Sequence, residues 1–228
     1  MNSHKRVTLF AGHYGSGKTN IAVNYAIMLS KNGFPVTIAD LDIVNPYFRT
    51  KDSAKELEEA GIPLISPAYA NSNVDLPALP QELYGLVENH TRYAVMDIGG
   101  DDRGALALGR YAPYILEEDN YEMVFVANFF RPLTRNAEEA FGVMREIEAA
   151  GGIPFTAIVN NSNIGWDTTP EILRSSFGEA DRLSRLSGLP ILFTSAEHTV
   201  TAEMPDENLF PMTLQKKYFD IRKEKQDG

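Results

Sequence analysis

Short runs of consecutive apolar residues alternate along the chain with longer segments in which apolar residues return every three or four positions. The short runs predict strands at 7–11, 36–39, 63–66, 93–97, 123–128, 155–160 and 190–194. Most of these runs are apolar throughout, the pattern of strands covered on both faces. The longer segments predict helices at 18–31, 54–60, 80–89, 134–150, 170–187 and 213–225. Gly33, Gly61, Gly151 and Gly188 follow four of them, where a left-handed residue ends a helix. The stretch 104–119 reads as helical with an interruption at Pro113. Strand alternating with helix implies parallel βαβ units, hence a doubly wound, mostly parallel α/β sheet flanked by helices. The expectation is one domain over 1–228, since neither a linker nor a repeat divides the chain.

The strand VTLFA leads into GHYGSGKT and then into a helix, which satisfies G-x-x-x-x-G-K-[ST] in the setting that gives the motif meaning. This is a P-loop. Gly12, Gly15 and Gly17 let the backbone of the Gly12, His13, Tyr14, Gly15, Ser16, Gly17, Lys18, Thr19 run wrap closely, so that its amides form an anion nest. The following helix adds its positive end. Lys18 is expected on the β- and γ-phosphates and the Thr19 hydroxyl on Mg²⁺. Acids at the ends of neighbouring strands complete such a site. Asp40 and Asp42 close one apolar run, and Asp97 closes another just before Gly99 and Gly100. Asp97 suits a Mg²⁺ role, and Gly100 lets a backbone amide approach the γ-phosphate.

Composition narrows the partners. The net charge of −10 argues against broad nucleic-acid binding, which draws its affinity from Lys and Arg. With Cys 0 the chain has neither disulfides nor cysteine-ligated iron–sulfur clusters. The start of the chain reads as a strand and not as a signal peptide, and no run approaches the length of a membrane span, so the expectation is a cytoplasmic protein.

Together GHYGSGKT, DLDIVNPYF and VMDIGG resemble the MinD, ParA and nitrogenase-iron-protein (SIMIBI) group of P-loop ATPases, including CobQ/CobB-type nucleotide-binding domains. That resemblance implies an ATP-binding (or ADP-binding) switch protein with Mg²⁺ that acts on a partner protein by assembling, activating or positioning it. It gives Lys18 and Thr19 their phosphate and metal roles, and makes Asp42 the acid that orients water and touches the metal region. Asp40 becomes a secondary catalytic acid, Asp97 the metal acid, and Gly100 the γ-phosphate glycine. Asn160, ending FTAIVN, takes the place of the asparagine that reads adenine; guanine-specific relatives show N-K-x-D there, and this chain has NNSN. The group's signature lysine stands where this chain has His13, which weakens the expectation of a nucleotide-dependent homodimer and implies slow intrinsic hydrolysis.

The rival reading is a biosynthetic P-loop enzyme of dethiobiotin-synthetase type that phosphorylates a small carboxylate or carbamate. Acids after the Asp97 strand, where positive charge is needed to hold such a substrate, count against it. A GTP-binding adaptor of cofactor biosynthesis is a third. Trp166, beside Asp167, reads first as a packing anchor, and Arg131 and Arg135 read first as surface residues, with an arginine-finger role as the alternative. Leu214, Tyr218 and Ile221 share one face of the last helical segment, which suits core packing better than a membrane surface.

Overall fold

The computed structural model describes residues 4–41, 53–66, 81–100, 102–205 and 207–215. Its centre is one eight-stranded sheet in the order β3-β2-β4-β1-β5-β6-β7-β8, parallel at every pairing. The strands are β1 Val7–Ala11, β2 Val36–Leu41, β3 Leu64–Ile65, β4 Tyr93–Ile98, β5 Tyr121–Ala127, β6 Ala157–Asn160, β7 Ile191–Glu197 and β8 Leu209–Met212. The described helices are α1 Lys18–Lys31, α2 Ala54–Glu59, α3 Gln81–Glu88, α4 Asp102–Gly109, α5 Ala112–Glu118, α6 Ala137–Gly151, α7 Pro170–Ser175, α8 Phe177–Ser187 and α9 His198–Ala202.

Successive strand residues point to opposite faces, so each central strand feeds two cores. Val7, Leu9 and Ala11 pack with Met96, Phe125 and residues of α3 to α6 and α8. Phe10, Val95 and Val124 pack on the other face with Ile21, Ala22, Tyr25 and Leu29 of α1 and Leu57 of α2. Every residue of β1 and β2 is buried, which explains why their sequences are apolar without alternation.

Several elements depart from the sequence reading for a local reason. Pro113 starts α5 instead of interrupting a helix, because a first-turn proline gives up an amide that has no partner there. The segment 170–187 is two helices, joined at Ser176, whose hydroxyl donates to Leu173 O (2.7 Å). The α6 helix begins only after Asn136, whose side chain caps it by accepting from Glu139 N, and it runs one residue past its expected end, so that Gly152 closes it. The strand β8 contains Pro211 and lies at the sheet edge, where a missing amide is tolerated.

The expected helix from Thr213 does not begin there. Residues 213–215 instead run along α1: Thr213 N donates to Asn24 Oδ1 (2.8 Å) and Gln215 N to Asn20 Oδ1 (3.1 Å). Tyr218 and Ile221 lie outside the described residues. Among the described residues no helix is long and apolar enough to cross a membrane.

On the edge of the core away from the P-loop, Arg6 is buried and donates to Leu86 O (3.2 Å), Val87 O (2.8 Å), Asn89 O (3.1 Å) and Arg92 O (3.1 Å). It therefore satisfies carbonyls at the end of α3, which carry the negative end of the helix dipole. Its guanidinium also forms a two-pronged ion pair with Glu118 at the end of α5, with side-chain exposures of 6% and 8%. Removing Arg6 would strand a buried carboxylate and several carbonyls. Arg6→Ala is expected to lower stability by about 3–5 kcal/mol in urea unfolding followed by circular dichroism. A loss under 1 kcal/mol would mean that water replaces these contacts at no cost.

Candidate functional site

The carboxyl ends of β4, β1, β5 and β6 lie side by side at the centre of the sheet. The order reverses here: the chain leaves β1 toward β2 on one side and later reaches β5 on the other, which makes a crevice at the strand ends. The P-loop fills its floor. Gly17 sits just before α1 with φ 88°, and a Cβ there would lie 2.2 Å from Asn161 Nδ2, so only glycine lets the loop pass the β6 end. Ser16 N donates to His13 O (3.1 Å), closing the turn.

Groups at the ends of β4 and β6 meet this loop. Thr19 Oγ1 donates to Asp97 Oδ2 (2.6 Å), and both residues are buried. Asp40 is the register partner of Asp97 on the adjacent strand, and both lie on the sheet face that carries α1. Lys18 is buried, and its Nζ donates to His13 O at 3.4 Å. Gly100 closes over the loop so tightly that a Cβ would stand 2.7 Å from Tyr14 N and 2.9 Å from Lys18 Nζ. Asp42 lies outside the described residues.

The donors near Thr19 are hard oxygens, the set Mg²⁺ prefers. Among the described residues no group of three or more His, Cys, Asp or Glu side chains could hold a metal ion by itself. Mg²⁺ does not need one, since it uses one or two carboxylates together with substrate phosphates and water.

Above the loop opens a cavity of about 500 Å³, within the range of small-ligand sites. Tyr14 to Asn20 line one side, and Asn128, Arg131, Asn161, Asn163 and residues 164–167 line the other. Leu214 and Gln215 close one flank. The cavity therefore runs from the P-loop amides to the loop after β6.

Asn160 is not among the lining residues. It is fully buried, on the strand face opposite α1, where its Nδ2 donates to Ser176 Oγ (2.8 Å) and its Oδ1 accepts from Ser162 N (3.2 Å). Its neighbour Asn161 leaves the strand toward the P-loop: Nδ2 donates to Ser16 O (2.6 Å) and Oδ1 accepts from Ser195 Oγ (2.8 Å). Sequence reasoning favoured the asparagine that ends the strand and missed the next one. The double amide in VNNSN was the available signal, but one residue of pleat decides which amide faces the loop.

Three further placements differ from expectation. The His13 ring does not line the cavity; its Nδ1 lies 2.9 Å from Tyr14 O. Trp166 is 63% exposed at the cavity mouth and is no packing anchor. Arg131 lines the cavity, whereas Arg135 lies outside it and pairs with Glu139 at 3.3 Å.

No family model matches this sequence, and no curated protein matches it. Solved structures do match the fold. The signal recognition particle receptor FtsY from Elizabethkingia anophelis, in complex with GDP, superposes with a TM-score of 0.54 at 16% identity, covering 92% of this chain and 62% of that one. The signal recognition particle 54 kDa protein from Aeropyrum pernix K1, also with GDP, gives 0.54 at 18% identity, covering 85% of this chain and 42% of that one. FtsY from Thermotoga maritima gives 0.57 at 16% identity, covering 86% and 63%. The chain thus spans less than two thirds of the length of each of these proteins. The likeness is one of fold: a parallel α/β sheet with helices on both faces, the P-loop nucleoside triphosphatase architecture.

Asn161 gives a test of how the loop is held. Asn161→Ala removes the donor to Ser16 O and the acceptor for Ser195, both in buried surroundings. Stability is expected to fall by about 1–3 kcal/mol, read from thermal unfolding. Asn160→Ala should match that loss without altering occupancy of the cavity, which a ligand-induced shift in melting temperature would report.

Proposed function

We propose that this protein is a Mg²⁺-dependent, ATP-binding P-loop switch that hydrolyses slowly and acts on a partner protein. The observation that carries this reading is the cavity floored by the P-loop, with the Thr19–Asp97 contact beneath it and exposed Tyr14, Ile164 and Trp166 around it. Backbone amides of residues 13–19 would hold the phosphate chain, and Lys18 would donate to its β- and γ-oxygens. Thr19 and Asp97, with Asp40 beside them, would hold Mg²⁺, which when bound neutralises phosphate charge. Gly100 keeps backbone, and no side chain, next to Lys18, so a change at the phosphate end is felt directly by the segment after β4. Asp42 retains its proposed role as the acid that orients water. The exposed apolar side chains at the cavity mouth suit a protein surface that docks when the nucleotide is in place.

A second reading concerns the base. Trp166 offers a ring for stacking any base, and Asp167 lines the same end of the cavity. A carboxylate accepts from the adjacent ring and exocyclic N–H groups of guanine, and the Elizabethkingia anophelis FtsY and Aeropyrum pernix 54 kDa structures hold GDP. With Asn160 turned away, adenine recognition falls to Asn128 and Asn163, which line the cavity. Competition between ATP and GTP for a fluorescent triphosphate decides: tighter ATP supports the adenine assignment, and tighter GTP transfers the base role to Asp167.

Lys18→Ala should weaken ATP·Mg²⁺ binding by about 1.5–3 kcal/mol, roughly 10- to 100-fold by calorimetric titration, with the melting temperature of the empty protein retained. Equal affinities would remove Lys18 from the phosphate site. With the His13 ring against Tyr14 O and outside the cavity, no cation reaches the phosphates from position 13. His13→Lys is therefore expected to raise phosphate release or to produce an ATP-dependent dimer in light scattering. Fast turnover by the unaltered protein alone would contradict the slow-switch reading.

A further inference from the structure

The turn after β5 places a guanidinium against the P-loop. Asn128 anchors this turn, its carbonyl accepting from Arg131 N (3.2 Å) and from Thr134 Oγ1 (2.7 Å). The Asn128 side chain accepts from Phe130 N (3.0 Å), and Phe129 N donates to Ser162 Oγ (3.0 Å). Pro132 follows Arg131 and restricts it further. The backbone that carries Arg131 is therefore fixed before any ligand arrives.

From this position the Arg131 side chain runs alongside Gly15: a Cβ on Gly15 would lie 3.7 Å from Nε and 3.8 Å from Cδ of the arginine. Arg131 Nε is buried and has no hydrogen-bond partner among the described residues. No ion pair joins Arg131 to an acid among them either, although Asp167 lines the same cavity. A buried charged donor without a partner is costly, and such a group calls for an explanation. Arg135, four residues on, needs none, since it is exposed and paired with Glu139.

We infer that Arg131 binds the phosphate chain from within the same molecule, as the cation that faces the P-loop across the cavity. The amides of the Gly15 turn and the guanidinium present donors to the same volume, and a polyphosphate is the anion whose separate oxygens can take both sets. This inference deepens the nucleotide reading above and rests on it only for the base, since the phosphates alone would satisfy Arg131. It also accounts for a P-loop with histidine at position 13: the cation beyond Lys18 enters from the β5 turn, not from position 13.

The test measures binding of inorganic tripolyphosphate, ATP·Mg²⁺ and adenosine to the full chain by calorimetry. Unaltered protein, Arg131→Gln, Arg131→Lys and Arg135→Gln are compared, with thermal melts of each empty protein. Arg131→Gln is expected to weaken tripolyphosphate and ATP about tenfold or more while leaving adenosine unchanged, because one charged donor pair is lost. Arg131→Lys should recover part of the loss, and Arg135→Gln should lose nothing. The inference is overturned if Arg131→Gln binds tripolyphosphate as the unaltered protein does, if adenosine weakens by the same factor as ATP, or if the unaltered protein takes up no tripolyphosphate. Arg131-dependent tripolyphosphate binding without preference for ATP would uphold the inference and instead defeat the nucleotide reading.

Discussion

A loop that binds phosphate with its own amides must hold those amides inward without side chains to brace it. Three contacts near the centre of this sheet meet that constraint. The P-loop between β1 and α1 is gripped from below by Thr19 on Asp97, from one side by Asn161 on Ser16 O, and from above by Gly100. These grips come from the ends of β4 and β6, so the loop's shape depends on the register of β4, β1, β5 and β6 together. Parallel pairing supplies it, since it brings the carboxyl ends of all four strands to one edge.

The same edge concentrates polar groups in an otherwise apolar interior. Asp40, Asp97, Asn128, Asn160, Asn161, Ser162 and Ser195 are all buried there. Asn161 and Ser195 bond each other and the loop; Asn160 ties β6 to the α7–α8 junction; Asn128 and Ser162 fix the turn that carries Arg131. Buried polar networks of this kind are stable only when their members are satisfied, and they then hold one arrangement rigidly. Here that rigidity positions the P-loop on one side of the cavity and Arg131 on the other. The cavity mouth differs in character, with Tyr14, Ile164 and Trp166 exposed. A rigid polar floor under an apolar rim would suit the nucleotide switch proposed above.

The likeness to FtsY and to the 54 kDa signal recognition particle protein extends over most of this chain but at identities of 16–18%. At that distance shared architecture reflects the packing of helices on a parallel sheet, and function rests on the groups at the site. The motif in the β1–α1 loop and the structural likeness agree on the P-loop architecture.

The sequence by itself determined what is local. The run VTLFAGHYGSGKT specified strand, glycine loop and helix in order, because unbroken apolar residues, glycines and the helical period that follows act over a few neighbours each. The strands β1 to β7 and most helices were legible for the same reason. The tertiary structure decided what depends on distant partners. The edge strand β8 carries a proline and has no apolar run long enough to announce it; its pairing with β7 makes it a strand. Asn160 and Asn161 are alike in sequence, and only the pleat of β6 and the packing of α8 turn one into the interior and the other onto the P-loop. Arg131 and Arg135 likewise share a short surface-like segment. The turn anchored by Asn128, itself tied to Ser162 and Asn163 after β6, sends one against Gly15 and leaves the other to Glu139, and that tie to a strand more than 30 residues away is what the sequence does not display.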